Sequence, residues 1–310
     1  MRKVIGIGET VYDIVFKEGQ PRAAVPGGST FNSMISLGRC GIPADFLSEV
    51  GNDKVGEIIR GFMVSNGVDP SHVNSLPQKT PLSLAFLDEN NDASYTFYRD
   101  PAEVHPDFVY PEVGPDDIVL FGSFYALSPA VRPLVKRFLE YSKNQGAIVY
   151  YDVNFRPSHI KDLGNIGDAL WENFDFADVV RGSHEDFLTL FEMDDAGQVF
   201  RDKIQDRCAN FICTFGSRPL KVFDRQGLEL EYPVAQVDTV STIGAGDSFN
   251  AGFIYGLVKR GITREMLSCG LPSEVWDDLI ACAQSFSACC CQSTFNYITP
   301  EFAADRRLSR

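Results

Sequence analysis

The sequence predicts a layered α/β fold in which a mainly parallel sheet is covered by helices on both faces. Short runs of apolar and β-branched residues have the continuity of strands buried on both sides. These runs lie at 4–7, 118–121, 148–151 and 211–214. A helical pattern separates the second run from the third, and such alternation is typical of doubly wound sheets. With 310 residues, 44% of them hydrophobic, the chain is long enough to bury a large core.

The helix between the second and third strands has recognisable ends. Ser128 is the expected N-cap, and Pro129 suits the first turn because proline lacks the amide that a first turn leaves unpaired. Apolar side chains then recur at helical spacing, at Val131, Leu134, Val135, Phe138 and Leu139. Gly146 is expected to end this unit before the next strand begins.

Two segments, at 11–25 and about 81–108, depart from this rhythm. They carry strand-like alternation of side chains, and Asn90-Asn91 is the expected turn within the second segment. We expect a small accessory sheet here, and accessory sheets of this kind commonly act as lids. No linker or internal repeat divides the chain, so a single domain over 1–310 is expected.

Composition and charge exclude several classes of function. The chain has 28 basic and 42 acidic residues, a net charge of −14 and a pI near 4.7, which disfavour a nucleic-acid partner. No run approaches the roughly 18 apolar residues of a membrane span, and the start of the chain is too short in apolar residues for a signal peptide. The eight cysteines show no metal-binding spacing and are interpreted as reduced apolar residues. We therefore expect a cytoplasmic protein without a membrane partner.

Two familiar nucleotide motifs fail. Gly6 and Gly8 follow a strand, but Val11 stands where a dinucleotide fingerprint needs its third glycine. Gly51 and Gly56 have P-loop spacing, but the lysine is missing from the position after Gly56. The sequence therefore excludes a Walker site and gives little support to a Rossmann site.

The most informative stretch is STIGAGDSFNAG, at 241–252. Gly244 and Gly246 allow a tight turn before a helical pattern, and backbone amides at a helix start can hold an oxyanion or a transferring phosphoryl group. Asp247 in the first helical turn can accept the proton of an attacking hydroxyl. An ordinary capped helix also places an acid there, so spacing alone leaves both interpretations open.

GAGDSF resembles the C-terminal signature of the ribokinase-like (PfkB) carbohydrate kinases. Six further segments resemble family motifs and follow in family order along nearly the whole chain. They are Gly8-Glu9 with Asp13, Gly27-Gly28 with Asn32, VGND at 50–53 with Gly56, Asp152-x-Asn154-x-Arg156, Ser183 to Asp186, and Thr214-Phe215-Gly216. The DxNxR run is similar to that of fructokinases and 2-keto-3-deoxygluconate kinases.

The resemblance implies a ribokinase-like three-layer α/β/α core with a mainly parallel central sheet and a small β-sheet lid. It implies an ATP- and Mg²⁺-dependent kinase that phosphorylates a primary hydroxyl of a small sugar, with fructose as the leading acceptor. Alternatives within this class are a 2-keto-3-deoxygluconate kinase, a ribokinase or a nucleoside kinase. An alternative of another class is a non-catalytic regulator that binds sugar or nucleotide; the presence of Asp247 argues against it. A homodimer through the lid sheet is also implied.

The resemblance also assigns roles to residues. Asp247 is the general base, and the backbone amides of Gly244, Ala245, Gly246 and Asp247 stabilise the phosphoryl group. Substrate contacts fall on Asp13, Gly27, Gly28, Asn32, Arg99, Asn154 and Arg156. Nucleotide contacts fall on Ser183, Thr214, Gly216, Gly244 and Gly246, with a C-terminal helix near 282–293 beside the adenine. Glu185 and Asp186 would organise Mg²⁺ through water.

One departure from the family pattern concerns a monovalent cation. Ser241 stands at the usual first aspartate of the C-terminal signature, although Asp238-Thr239 lies three residues upstream. That aspartate's surroundings often support a monovalent cation in the family, so potassium activation is in doubt for this chain.

Overall fold

The computed structural model describes residues 2–89, 93–100 and 108–308. Its strands are β1 (Val4–Ile7), β2 (Val11–Lys17), β3 (Gln20–Gly27), β4 (Ala44–Gly51), β5 (Val68–Asp69), β6 (Val73–Leu76), β7 (Leu82–Leu87), β8 (Ala93–Tyr98), β9 (Ile118–Gly122), β10 (Ile148–Asp152), β11 (Val179–Ser183), β12 (Asn210–Phe215), β13 (Arg218–Asp224) and β14 (Glu229–Tyr232). Its α-helices are α1 (Ser29–Arg39), α2 (Lys54–Ser65), α3 (Arg132–Asn144), α4 (Leu163–Phe176), α5 (His184–Phe191), α6 (Ala196–Val199), α7 (Ala245–Arg260), α8 (Arg264–Cys269), α9 (Ser273–Cys291) and α10 (Pro300–Ala304). 3₁₀-helical turns occupy Phe124–Ala126 and Pro157–Asp162, and a π-helical turn occupies Phe200–Ile204.

A large, mainly parallel sheet forms the centre of the fold. Its strand order is β14-β13-β12-β11-β10-β9-β1-β4-β5, and β6 pairs with β4. Within this sheet, the described strands pair antiparallel only at one edge, in β12–β13 and β13–β14. The four strands predicted from the sequence are confirmed as β1, β9, β10 and β12, and β1, β9 and β10 are buried along their whole length.

Helices cover both faces of this sheet, which confirms the three-layer prediction. One hydrophobic cluster packs α1, α2, α7 and α9 against alternate strand residues such as Val4 and Ile118. The other packs α3, α4 and α5 against the intervening residues, such as Ile5 and Val119. Because both strand faces are buried, the strands are apolar throughout instead of alternating.

The accessory sheet is also present, with the order β3-β2-β7-β8. Strand β2 pairs parallel with β7 and antiparallel with β3, and β8 closes the sheet antiparallel to β7. The expected Asn90-Asn91 turn lies outside the described residues, as do residues 101–107 of the predicted lid segment.

The predicted start of the helix between β9 and β10 was wrong. Helix α3 begins at Arg132, and the carbonyl of Ser128 instead accepts hydrogen bonds from the amides of Val131 (3.1 Å) and Arg132 (2.8 Å) in a preceding turn. The cause is Pro133, which has no amide and cannot stand in the interior of a helix that starts at Pro129. Gly146, with φ +83°, does follow the end of the helix as predicted.

Two negative findings accompany the fold. Among the described residues, no helix is long and apolar enough to cross a membrane. All eight cysteines fall within the described parts of the chain and are free thiols.

Candidate active site

The turn before α7 brings backbone amides to one point. Gly244 has φ +76°, and a Cβ atom there would lie 2.2 Å from the Asn296 carbonyl oxygen, so only glycine fits. The Ala245 amide donates to the Thr242 carbonyl (3.2 Å), which uses one of the four amides predicted for the anion hole. The amides of Gly246 and Asp247 remain as first-turn donors at the positive end of a 16-residue helix. This is a suitable place for an oxyanion.

Asp247 lies beside these amides and is held by the helix that follows the other glycine turn. Its carboxylate accepts hydrogen bonds from Ser29 Oγ (2.9 Å) and Asn32 Nδ2 (2.8 Å), while Ser33 Oγ donates to its backbone carbonyl (2.8 Å). Burial raises the pKa of Asp247 to about 6, against the lowering effect of the Asn32 hydrogen bond. The nearby charge of Asp152 raises this pKa further. Such a carboxylate is ionised at neutral pH and basic enough to take a proton.

A second buried carboxylate, Asp13, lies where β2, the β3–α1 turn and the C-terminal segment meet. It accepts a hydrogen bond from Asn296 Nδ2 (3.0 Å), and burial raises its pKa to about 6. A Cβ atom at Gly27 would lie 2.1 Å from Asp13 Oδ2, and one at Gly28 would lie 2.4 Å from the Glu9 carbonyl oxygen. The glycine pair therefore permits the close approach of this turn to the predicted sugar-binding residues.

The accessory sheet contributes side chains to the same region. Arg99 Nη1, just beyond β8, lies 3.5 Å from Glu9 Oε2. Burial raises the pKa of Glu9, and the charge of Arg99 opposes that rise. Tyr95 on β8 has its pKa raised to about 12 by burial and by the charges of Asp13 and Asp247. Tyr95 is therefore close enough to Asp13 and Asp247 for their charges to affect its pKa.

The DxNxR run follows β10 and turns sharply. Asn154 has φ +36° and its Nδ2 donates to Ser123 Oγ (2.7 Å), so its side chain is fixed within the turn. Arg156 is exposed, and its positive charge lowers the pKa of Asp247. The structure therefore brings Arg156 near the candidate base.

An open cleft of about 510 Å³ borders the first turn of α7, at Ala245, Gly246 and Phe249. The predicted nucleotide residues Ser183, Thr214, Gly216 and Gly246 all line it, whereas Gly244 is not among its lining residues. Helix α9 contributes Gln284, Ser287, Ala288 and Cys291, which matches the predicted wall near 282–293. The cleft therefore extends to Gly246, whose backbone amide is one of the two first-turn donors suited to an oxyanion.

The two acids predicted for Mg²⁺ occupy different environments. Asp186 is buried and forms a capping box, with Oδ2 accepting from Ser183 N (2.6 Å) and Ser183 Oγ (2.8 Å) and Oδ1 accepting from Phe155 N (2.8 Å). Glu185 is exposed and lines the cleft. Within the described ranges, no group of three or more His, Cys, Asp or Glu side chains is arranged to hold a metal ion.

Sequence reasoning assigned no role to three residues of this region. Ser29 could have been found, because it shares a helical face with Asn32 and Ser33, at spacings of three and four residues. Asp152 stood in a motif and proves to be an ion-pair partner, with Oδ1 3.0 Å from Arg181 Nη1. Arg181 interrupts an otherwise apolar strand, and a charge in such a run is the signal that indicates a buried polar partner.

Comparisons with known proteins place the chain among carbohydrate kinases. Residues 1–298 match the family model of pfkB family carbohydrate kinases. A relative, the 5-dehydro-2-deoxygluconokinase of Geobacillus thermodenitrificans (strain NG80-2), is 28% identical over 250 residues, which cover 75% of this chain and 72% of the relative.

Solved structures of kinases share the fold. A fructokinase double mutant of Vibrio cholerae O395, bound to fructose, ADP and potassium ion, superposes with a TM-score of 0.83 at 18% identity and 98% coverage of both chains. The fructokinase has also been solved with fructose, ADP and calcium ion, with a TM-score of 0.80 at 20% identity over 98% of each chain. The aminoimidazole riboside kinase of Salmonella enterica, in complex with aminoimidazole riboside and an ATP analog, has a TM-score of 0.80 at 20% identity over 99% of this chain and 100% of its own.

Proposed function

This chain belongs to the pfkB family of carbohydrate kinases and is therefore a phosphotransferase that acts on a sugar hydroxyl group, and we propose that its acceptor is a ketose, with fructose preferred. The observation that carries the phosphoryl-transfer mechanism is the placement of Asp247. Its carboxylate, with a pKa raised to about 6, stands at the start of α7 beside the free amides of the glycine turn.

In the proposed reaction, a primary hydroxyl of the sugar lies within hydrogen-bond reach of Asp247. The carboxylate takes the hydroxyl proton as the oxygen attacks the γ-phosphorus of ATP. The bond between that phosphorus and the β–γ bridging oxygen breaks, and ADP leaves with the bonding electrons. The amides of Gly246 and Asp247 stabilise the negative oxygens of the phosphoryl group during transfer.

ATP and Mg²⁺ are the proposed co-substrate and cofactor. The cleft that ends at Gly246 supports nucleotide binding, and the related solved kinases hold ADP with a metal ion or an ATP analog. When bound, Mg²⁺ would offset part of the negative charge of the triphosphate. Glu185 fits that ion through water because it is exposed in the cleft, whereas the oxygens of Asp186 already accept three hydrogen bonds.

The charge of the sugar side favours a neutral acceptor. Arg99 is already paired with Glu9 at 3.5 Å, and Asp13 adds a further carboxylate to the same side. A substrate carboxylate would have to compete with Glu9 for Arg99 and would be repelled by both acids. These contacts support fructose over a keto sugar acid.

A keto sugar acid is the second candidate. Two observations favour it: the similarity to a 5-dehydro-2-deoxygluconokinase, and the exposed Arg156, whose positive charge acts on Asp247 and could pair with a substrate carboxylate. Replacing Glu9 by Gln would release Arg99, so this change should raise kcat/KM for 5-dehydro-2-deoxygluconate relative to fructose.

The test is ADP release from Mg-ATP with D-fructose, 5-dehydro-2-deoxygluconate, 2-keto-3-deoxygluconate, ribose and adenosine. We expect turnover with fructose and its loss in Asp247→Asn. Glu57→Gln, which breaks an exposed ion pair with Lys54, is the matched control for Glu9→Gln and should leave the substrate order unchanged. Turnover that survives in Asp247→Asn would contradict the mechanism, and nucleotide binding without turnover on any acceptor would favour a regulator.

A further inference from the structure

Arg181 is a buried cation placed at the positive end of a helix. It is only 7% exposed, yet it lines the cleft beside α7. A Cβ atom at Gly246 would lie 3.1 Å from Arg181 Nη1 and 3.2 Å from Nη2, so the guanidinium lies directly against the first turn of α7. A cation is electrostatically unfavourable at a helix N-terminus, since the helix dipole already places positive charge there.

Neighbouring side chains hold Arg181 in place but accept hydrogen bonds from only some of its N–H groups. Its Nη1 donates to Asp152 Oδ1 (3.0 Å), its Nη2 donates to Thr214 Oγ1 (2.7 Å), and its guanidinium lies 5.6 Å from the centre of the Phe249 ring. A guanidinium has five N–H donors, so these two bonds leave three. The buried Nε atom has no hydrogen-bond partner among the described residues.

The remaining donors and the helix start point to one kind of ligand. A buried donor without a partner costs free energy, and a bound anion that accepts from it would remove that cost. The same anion would offset the repulsion between the guanidinium and the amides of Gly246 and Asp247. The cleft that leads to this point is lined by the predicted nucleotide residues, so the phosphate end of a nucleotide is the anion expected here.

We propose that Arg181 binds the terminal phosphates of the nucleotide and, together with the amides of Gly246 and Asp247, forms the polyphosphate site. The inference rests on the proposed function and adds to it a residue that the sequence motifs did not supply. The ion pair with Asp152 fixes Arg181 and reduces the electrostatic repulsion between its guanidinium and the first turn of α7. Thr214 fixes the second nitrogen, so the guanidinium is preorganised before the nucleotide arrives.

The test is a series of ligands that differ in phosphate number, measured by calorimetry on the full chain. Because removing Arg181 alone would leave Asp152 buried without a partner, Arg181→Met is made in an Asp152→Asn background and compared with Asp152→Asn alone. We expect the affinity for Mg²⁺–AMP-PNP to fall at least tenfold and the affinity for adenosine to change less than twofold. Arg181→Lys should recover part of the AMP-PNP affinity.

Arg132→Met is the matched control. Arg132 is another largely buried arginine with a carboxylate partner, Glu172 at 2.7 Å, but it is not among the residues that line the cleft. It should leave the affinities for both ligands unchanged. Equal affinity for AMP-PNP with and without Arg181, or a parallel loss of adenosine binding, would overturn the inference. A parent protein that binds AMP-PNP through Arg181 but phosphorylates no sugar would overturn the proposed function alone.

Discussion

Asn32 Nδ2 donates a hydrogen bond of 2.8 Å to Asp247 Oδ2, across 215 positions of sequence. This contact joins the helix after the Gly27-Gly28 turn to the helix after the GAG turn. Ser29 adds a second hydrogen bond to the same carboxylate from the same helix. The first helix of the chain therefore controls the basicity of a residue near its other end.

The effect of α1 on the pKa of Asp247 should be visible in the acid limb of the pH–activity profile. Burial raises the pKa of Asp247 to about 6, and only the ionised carboxylate can accept a proton, so kcat/KM should fall as pH drops below about 6. Ser29→Ala removes a hydrogen bond that lowers this pKa, and the limb should move to higher pH. Ser33→Ala is the control, because Ser33 donates to the Asp247 backbone carbonyl. A limb that moves equally in both variants would contradict this interpretation.

Asp247→Asn should abolish turnover while making the protein more stable above pH 6. The raised pKa means that ionisation of Asp247 opposes folding, so the native state loses stability as pH rises from about 4 to above 6. We expect a gain of about 1–2 kcal/mol, since solvent that reaches the partly accessible side chain screens its charge. Urea unfolding at pH 8 and pH 4 measures the difference, which should vanish at pH 4. An equal gain at both pH values would argue against a charge effect.

The glycines that flank α7, Gly244 and Gly261, allow the cost of a left-handed backbone to be distinguished from the cost of a close contact. Gly261, at the C-terminal end, has φ +64° with no atom within 4 Å of an added Cβ atom, so Gly261→Ala should cost about 1 kcal/mol of unfolding free energy. Gly244→Ala adds the 2.2 Å contact with the Asn296 carbonyl oxygen and should cost at least about 3 kcal/mol. Thermal or urea unfolding compares the two variants. Similar costs would show that the Asn296 contact relaxes easily.

Potassium should have little effect on turnover. Ser241 supplies a neutral hydroxyl, which accepts a hydrogen bond from the Ile243 amide (3.2 Å), where the family signature has a carboxylate. Without that negative charge, a monovalent cation is held weakly. Initial rates in potassium chloride and in choline chloride should agree within twofold. A tenfold fall without potassium would show that other oxygens of this loop hold the ion.

The accessory sheet should carry a homodimer contact. It exposes large apolar side chains, with Phe97 50% and Tyr98 58% exposed, and its edge strands are β3 and β8. We expect a dimer at micromolar concentration in sedimentation velocity, and Tyr98→Asp should shift it to monomer. Val64→Asp changes an apolar residue that is 63% exposed on α2 and serves as the control. A monomeric parent protein would rule out this contact.

The layered fold and the glycine turns of the candidate site can be predicted from local sequence patterns. Buried strands such as β1 and β9 are visible as continuous apolar runs, because both of their faces lie against helices. The glycine turns are visible because a positive φ or a close backbone approach excludes other residues, as at Gly28 and Gly244.

The contacts between side chains of the site could not be predicted in this way. The hydrogen bonds from Ser29 and Asn32 to Asp247, and the ion pair between Asp152 and Arg181, join residues that lie far apart in sequence or on neighbouring parallel strands. Such contacts depend on how helices and strands pack, which no local pattern specifies. The raised pKa of Asp247 has the same origin, because burial is a property of the assembled layers. Residue types therefore indicated phosphoryl transfer, and the packing of the layers set the pKa of Asp247, the proposed general base.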